Sequence, residues 1–191
     1  MNAIAPGRGG GTNQLAKAAG ELMDILENRA LYPVFQPILS LQKKRIYGYE
    51  ALARGPEDGR LHSPQALFEV ASKMGHLTDL DLLARERAIE RFWELGLPGQ
   101  LFLNVCPQVL MEPDFRSGQT QRYLEASCLE PSRVIIELTE HAPVADYAVL
   151  RQAVQHYRDM GFTIAIDDLG SGYSGLRQWS ELAPDFVKVD R

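Results

Sequence analysis

The feature that most narrows what this chain can become is a series of short aliphatic segments, "QLFLNV", "RVIIELTE", "FTIAIDD" and "DFVKVD", each divided from the next by a stretch with helical spacing. Segments made of Ile, Val, Leu and Phe throughout are apolar on both faces, and a helical crossover between two of them makes the strands parallel. The expectation is an α/β chain in which helices cover a parallel sheet. Upstream, "YPVFQPIL" and "RIYGYEAL" flank the basic, polar "SLQKK", which suits a hairpin and makes the first strand antiparallel to the second.

The helical segments are marked by their punctuation. Leu15, Ala18, Ala19, Leu22, Ile25 and Leu26 recur at helical spacing from Gln14, with Asn13 available as a cap. Ser63 followed by Pro64 starts "QALFEVASKM", and Thr78 or Asp79 caps the amphipathic segment that runs through Leu95 and stops at Gly96 and Pro98. "QTQRYLEAS", "DYAVLRQAVQHYRDM" and "SGLRQWSEL" supply the later helices, the second ended by Gly161. Residues 1–13, rich in Gly and without apolar period, are expected as a flexible leader, and 14–191 as one domain.

Composition excludes several classes. Twenty basic against twenty-five acidic residues give a net charge of −5, which argues against a broad footprint for a DNA or RNA duplex. No apolar run approaches a membrane span and no secretory signal opens the chain, so the expected location is the cytoplasm. Cys106 and Cys128 have no metal-ligand spacing and are expected as free thiols in a reducing compartment.

Chemistry enters where polar residues fall on the strands. Glu50 follows "IYGY", Asn104 follows "LFL", Glu137 follows "VII", Asp167 and Asp168 follow "TIAI", and Lys188 follows "FV". All lie toward carboxyl ends, and in a βα barrel those ends open onto one face, so residues remote in sequence meet around one point. Asp167 and Asp168 side by side make each other harder to ionise unless a positive charge lies between them. Carboxylates and one amide, without His or Cys, suit a hard cation, Mg²⁺ or Mn²⁺. Two ions about 3.5 to 4 Å apart would account for the paired aspartates. Gly170 and Gly172 then allow a sharp turn beside the site. Taken singly, each residue has a plainer reading: a helix cap for the Asp pair, a partner for Arg54 in Glu50, a turn residue in Asn104 and a surface lysine in Lys188.

"YEALAR" at 49–54 resembles the signature of the EAL-domain family of bacterial cyclic di-GMP phosphodiesterases, and its companions stand in that family's order. These are "FQPI" at 35–38, "LNV" at 103–105, "ELTE" at 137–140, "DDLGSGYS" at 167–174 and "VKVDR" at 187–191. The resemblance spans residues 31–191 and implies a TIM-type (β/α)8 barrel fold. It implies Glu50, Asn104, Glu137 and Asp167 as ligands of a first metal, and Asp168 as a ligand of a second, with Asp167 shared. Lys188 is similar to the lysine that positions or activates the attacking water. Gln36, Leu52 and Arg54 resemble the residues that grip the dinucleotide, with the planar fork of Arg54 on phosphate. Glu140 resembles the glutamate that anchors the loop beginning at Asp168, a loop tied to dimerisation. The implied reaction is hydrolysis of cyclic di-GMP to linear pGpG.

Two departures stand out. Leu169 occupies a position where the family most often has Phe. A barrel of this type has eight strands in about 250 residues, whereas six strand candidates precede Arg191, and the family's later glutamate and glutamine have no positions here. The expectation is an incomplete barrel from a longer polypeptide with additional signalling domains; folded alone, it is expected to be dimeric or partly disordered near its carboxyl end, with weak or no hydrolysis. The alternative function is a non-catalytic cyclic di-GMP receptor or protein-interaction module. His62, His76, His141 and His156 are expected as solvated or hydrogen-bonded side chains, Trp93 and Trp179 as packing residues, and "ARERAIERFWE" as a solvated helix face.

Overall fold

In the computed structural model, described over residues 10–111, 118–139, 146–169 and 175–189, the aliphatic segments pair in sequence order into one curled sheet. Strand β1 (Tyr32–Ser40) runs antiparallel to β2 (Arg45–Arg54), as the hairpin requires. Strands β3 (Gln100–Val105), β4 (Val134–Thr139), β5 (Thr163–Leu169) and β6 (Phe186–Val189) then add in parallel. Six strands in the order 1-2-3-4-5-6 form a half-barrel, with β1 and β6 as its edges among the described residues.

Helices follow their sequence signals with informative exceptions. Helix α1 spans Gly10–Glu27, so Asn13 lies inside it and does not cap it. Helix α2 (Pro64–Met74) begins where Ser63 accepts the Ala66 amide, and ends at Gly75, whose φ of 75° is the left-handed conformation a side chain would disfavour. Helix α3 (Leu77–Glu94) starts one to two residues before the expected Thr78 or Asp79; its cap position is His76, which makes no side-chain capping bond. His76 instead faces Asp79 at 3.0 Å, consuming the side chain expected to cap. The short α4 (Pro107–Leu110) was not legible in the sequence, and α5 (Gln119–Ala126) follows it. Helix α6 (Tyr147–Asp159) is capped by Asp146 through the Ala148 and Val149 amides, and α7 (Gly175–Leu182) precedes β6.

Alternation along each strand separates two faces. Leu101, Leu103, Val105, Val134, Ile136, Leu138, Ile164 and Ile166 point outward and meet α3, α5 and α6 in the main core. Phe102, Ile135 and Ala165 point inward and form a separate cluster with Ile38 and Tyr47. Phe186 joins it through ring contacts with Tyr47 and Phe102 at 5.8 and 6.5 Å. A third cluster, including Leu22, Ile25, Leu31, Leu67 and Leu80, ties α1 and α2 to the hairpin side.

Two expectations change here and a third holds. Trp93 and Trp179 lie on helices but are half exposed, because each projects from the side of its helix away from the sheet. Arg85, within the run expected to be a solvated face, is 2% exposed, whereas Arg87 and Arg91 pair with Glu90 and Glu94 at the surface. Cys106 and Cys128 are free, as expected; burial first, then the neighbouring Asp81 carboxylate, pushes the Cys106 thiol up and keeps it protonated.

Candidate active site

Strand parity builds the site. Two residues beyond each inward residue of the lower layer stands a polar one: Gly48 leads to Glu50, Phe102 to Asn104, Ile135 to Glu137, Ala165 to Asp167 and Phe186 to Lys188. A displacement of two residues along a strand returns to the same face roughly 6.5 Å higher. The polar layer therefore caps the apolar one at the carboxyl ends of five strands, where a barrel of this kind carries its chemistry. Gln36 pairs directly opposite Glu50 in the β1–β2 register and shares its face.

The charges converge on Lys188. Its Nζ lies 2.7 Å from Glu50 Oε2, 2.8 Å from Glu137 Oε1 and 3.3 Å from Asp167 Oδ1. Asn104 Nδ2 donates to the other Glu50 oxygen at 3.1 Å, which fixes that carboxylate from two sides. Glu137, at the centre of the sheet, is 0% exposed. The ammonium reaches it at ion-pair range, yet neither carboxylate oxygen receives a hydrogen bond in alignment. Burial pushes the Glu137 carboxyl up to about 8; Lys188 opposes that shift, while Glu50 and Asp167 add to it. For Lys188, burial works against the ammonium, but Glu137 and then Glu50 outweigh it and hold its pKa above the ordinary range.

The donors fit a hard cation in kind: oxygen ligands throughout, and a buried carboxylate without a directed partner. Among the described residues no group of three or more His, Cys, Asp and Glu side chains is arranged to hold a metal ion, and the cation held between the three carboxylates is the Lys188 ammonium. Of the other expected residues, Leu52 and Arg54 follow Glu50 on the same face, and Arg54 Nη1 donates to Ala53 O at 2.8 Å. The Asp168 side chain, Glu140, Gly170, Gly172 and His141 lie outside the described residues. His62 Nδ1 donates to Gly55 O at 3.1 Å and lies 3.4 Å from Tyr32 OH, and His76 pairs with Asp79, as expected for hydrogen-bonded rings.

What the sequence reading missed is a polar group behind the site: Asp81 and Arg85 on α3, with Thr120 and Tyr157. A signal was present. Asp81 and Arg85 stand four residues apart within the apolar stripe of Leu80, Ala88, Ile89 and Phe92, where single charges are out of place.

A half-barrel whose strands carry an acidic, amide-flanked rim at their carboxyl ends defines the class as a βα-barrel domain. The chain belongs to the EAL domain family, whose model matches residues 19–191. It is 33% identical over 177 residues to the probable cyclic di-GMP phosphodiesterase PdeB of Escherichia coli, covering 89% of this chain and 33% of that protein. Among solved structures it resembles Klebsiella pneumoniae BlrP1 in complex with manganese and cyclic di-GMP: TM-score 0.72, 32% identity, 84% of this chain and 40% of that one. The EAL domain of Xanthomonas citri FimX, solved with cyclic di-GMP, shares the fold at TM-score 0.79 and 21% identity, over 94% of this chain and 71% of that one. The chain thus spans less than half the length of the curated relatives it matches, and about a third of PdeB. No helix among the described residues is long and apolar enough to cross a membrane.

Proposed function

We propose that this chain carries the site for metal-dependent hydrolysis of cyclic di-GMP to linear pGpG. The observation that carries the reading is the meeting of Glu50, Asn104, Glu137, Asp167 and Lys188 from five strands at one rim. Glu50, Asn104, Glu137 and Asp167 would hold a first Mg²⁺ or Mn²⁺, and Asp168 with Asp167 a second. When bound, such ions supply Lewis acidity and lower the pKa of coordinated water.

The chain's own residues do the rest. Glu50 is oriented by Asn104 on one oxygen and Lys188 on the other, so its carboxylate is held in place before ligand arrives. Lys188 keeps its proton through the neutral range and offers a fixed positive charge to an attacking oxygen or to a phosphoryl oxygen. Gln36, on the face of Glu50, and Leu52 and Arg54, further along it, would bind the dinucleotide, Arg54 by a bidentate contact to phosphate. Glu140 would anchor the loop that begins at Asp168. A homodimer and further signalling domains belong to the same reading.

The test is linear pGpG production with Mg²⁺ or Mn²⁺ on the longest natural form of the protein. Turnover that Glu50→Ala abolishes is the expected result; turnover that survives the substitution removes Glu50 from the site. Ligand binding without any turnover would favour the receptor.

A further inference from the structure

Behind β3 lies a charged group that the proposed chemistry does not use. Asp81 and Arg85 are 1% and 2% exposed and form an i,i+4 ion pair inside α3. Arg85 Nη1 donates to Thr120 Oγ1 of α5 at 2.8 Å and to Tyr157 OH of α6 at 2.9 Å, and its Nε approaches Asp81 O at 3.4 Å. Asp81 Oδ2 is taken by Arg85. Its Oδ1 accepts the backbone N–H of Cys106 at 3.0 Å.

That amide stands where β3 leaves the sheet. Cys106 is the cap position of α4 without a side-chain capping bond, and Pro107 after it has no N–H to offer. On the β2 side the ladder ends with Ala51 opposite Leu103, whereas on the β4 side it continues through Asn104 and Val105. Asn104 is therefore held by backbone pairing on one side only, and the tether two residues on comes from Asp81. Replacing a buried ion pair by apolar side chains of similar size is often neutral or stabilising. Stability alone does not account for this arrangement. Alignment does, because Arg85 fixes the Asp81 carboxylate against three helices and Asp81 passes that fixed position to the strand exit.

We infer that Asp81, clamped by Arg85, is a positioning residue for Asn104: it sets the β3 exit and so the direction in which the Asn104 amide meets Glu50. The metal arm of the test rests on the proposed function; the amide arm does not. Partners behind a ligand commonly change metal affinity about 10–100-fold when removed.

Three variants of the full chain test this. Asp81→Leu with Arg85→Met removes the tether without leaving a charge buried. Asp81→Asn with Arg85→Met keeps an acceptor for the Cys106 amide. Cys106→Pro removes the donor at a residue whose φ of −71° already suits proline. The readouts are the ¹⁵N side-chain amide resonances of Asn104, assigned by their loss in Asn104→Ala, and Mn²⁺ affinity by titration. In the first and third variants the two Asn104 amide protons are expected to collapse toward solvent-averaged shifts and Mn²⁺ affinity to fall about tenfold. The asparagine variant is expected to restore both readouts. On an Asn104→Ala background the first variant is expected to lower Mn²⁺ affinity no further, since two groups acting through one contact are not additive. A folded Leu/Met variant with unchanged Asn104 resonances overturns the inference, and so does loss of the fold in both the Leu/Met and Cys106→Pro variants. If the unaltered chain binds no Mn²⁺, the metal reading fails, while the amide resonances still decide the positioning role.

Discussion

The two faces of this sheet are built from the same six strands and do different work. The outer face is aliphatic and closed: Leu103, Val134, Ile136, Leu138, Ile164 and Ile166 are all within 1% of full burial under helices. The inner face is layered: Phe102, Ile135 and Ala165 below, and Glu50, Asn104, Glu137, Asp167 and Lys188 above. One face removes apolar area from water, and the other holds charges where burial opposes them. A residue's parity along its strand, and on the inner face its layer, thus predicts whether its loss is felt in stability or in ligand affinity.

The largest effect on stability belongs to the outer face. Ile136 is 0% exposed, between neighbours on both strands, and its truncation leaves a cavity the helices cannot fill. Ile136→Ala should lower the unfolding free energy by about 2–5 kcal/mol, read from denaturant midpoints at unchanged slope. A loss well under 1 kcal/mol would break the division between the faces.

Glu137, one residue on, points the opposite way and makes the comparison sharper. Its carboxyl titrates near 8 in the fold against an ordinary 4.5, so the native state retains a proton that the unfolded chain releases. Stability of the metal-free chain should therefore fall as pH rises between about 4.5 and 8, at up to about 1.4 kcal/mol per pH unit from this group. The raised Lys188 does not offset this, because its linkage acts above its ordinary 10.5. Glu137→Gln should flatten the slope. Divalent-ion affinity of the unaltered chain should rise with pH up to about 8, since binding requires the carboxylate. Calorimetric unfolding from pH 5 to 8, with and without the substitution, checks the first statement, and Mn²⁺ titration the second.

How far this was readable from sequence follows the same division. Strand identity and the meeting of Glu50, Asn104, Glu137, Asp167 and Lys188 were legible because parity and parallel pairing are set locally and determine direction. The start of α3 was not: Asp79 is a sound cap by type, but its carboxylate faces the His76 ring, and nothing in "GHLTD" ranks the two outcomes. Arg85 was misread because charge along "ARERAIERFWE" looks solvated until Thr120 and Tyr157, supplied by α5 and α6, reach the same guanidinium. Trp93 and Trp179 were misplaced for the converse reason, since ring size favours packing but only the neighbouring elements decide which side of a helix is covered.

The smallest effect separates the two inner layers. Phe102 lies two residues before Asn104, 3% exposed, with its ring against Tyr47 and Phe186 at 6.1 and 6.5 Å. Leucine keeps the position apolar and changes the volume modestly, so Phe102→Leu should cost about 1 kcal/mol, counting the lost edge-on ring contacts. Phe102 stands opposite Glu50 in the β2–β3 register, yet the substitution removes no hydrogen bond or ion pair of Glu50, Glu137 or Lys188, and β3 is held above it by its ladder to β4. If the volume change is absorbed within the apolar layer, divalent-ion affinity should stay within about twofold of the unaltered chain, the coupling expected of groups that share no interaction. A tenfold drop in affinity, at the small stability cost expected, would mean that the apolar layer sets the height of the polar one, and that the two inner layers do not act separately.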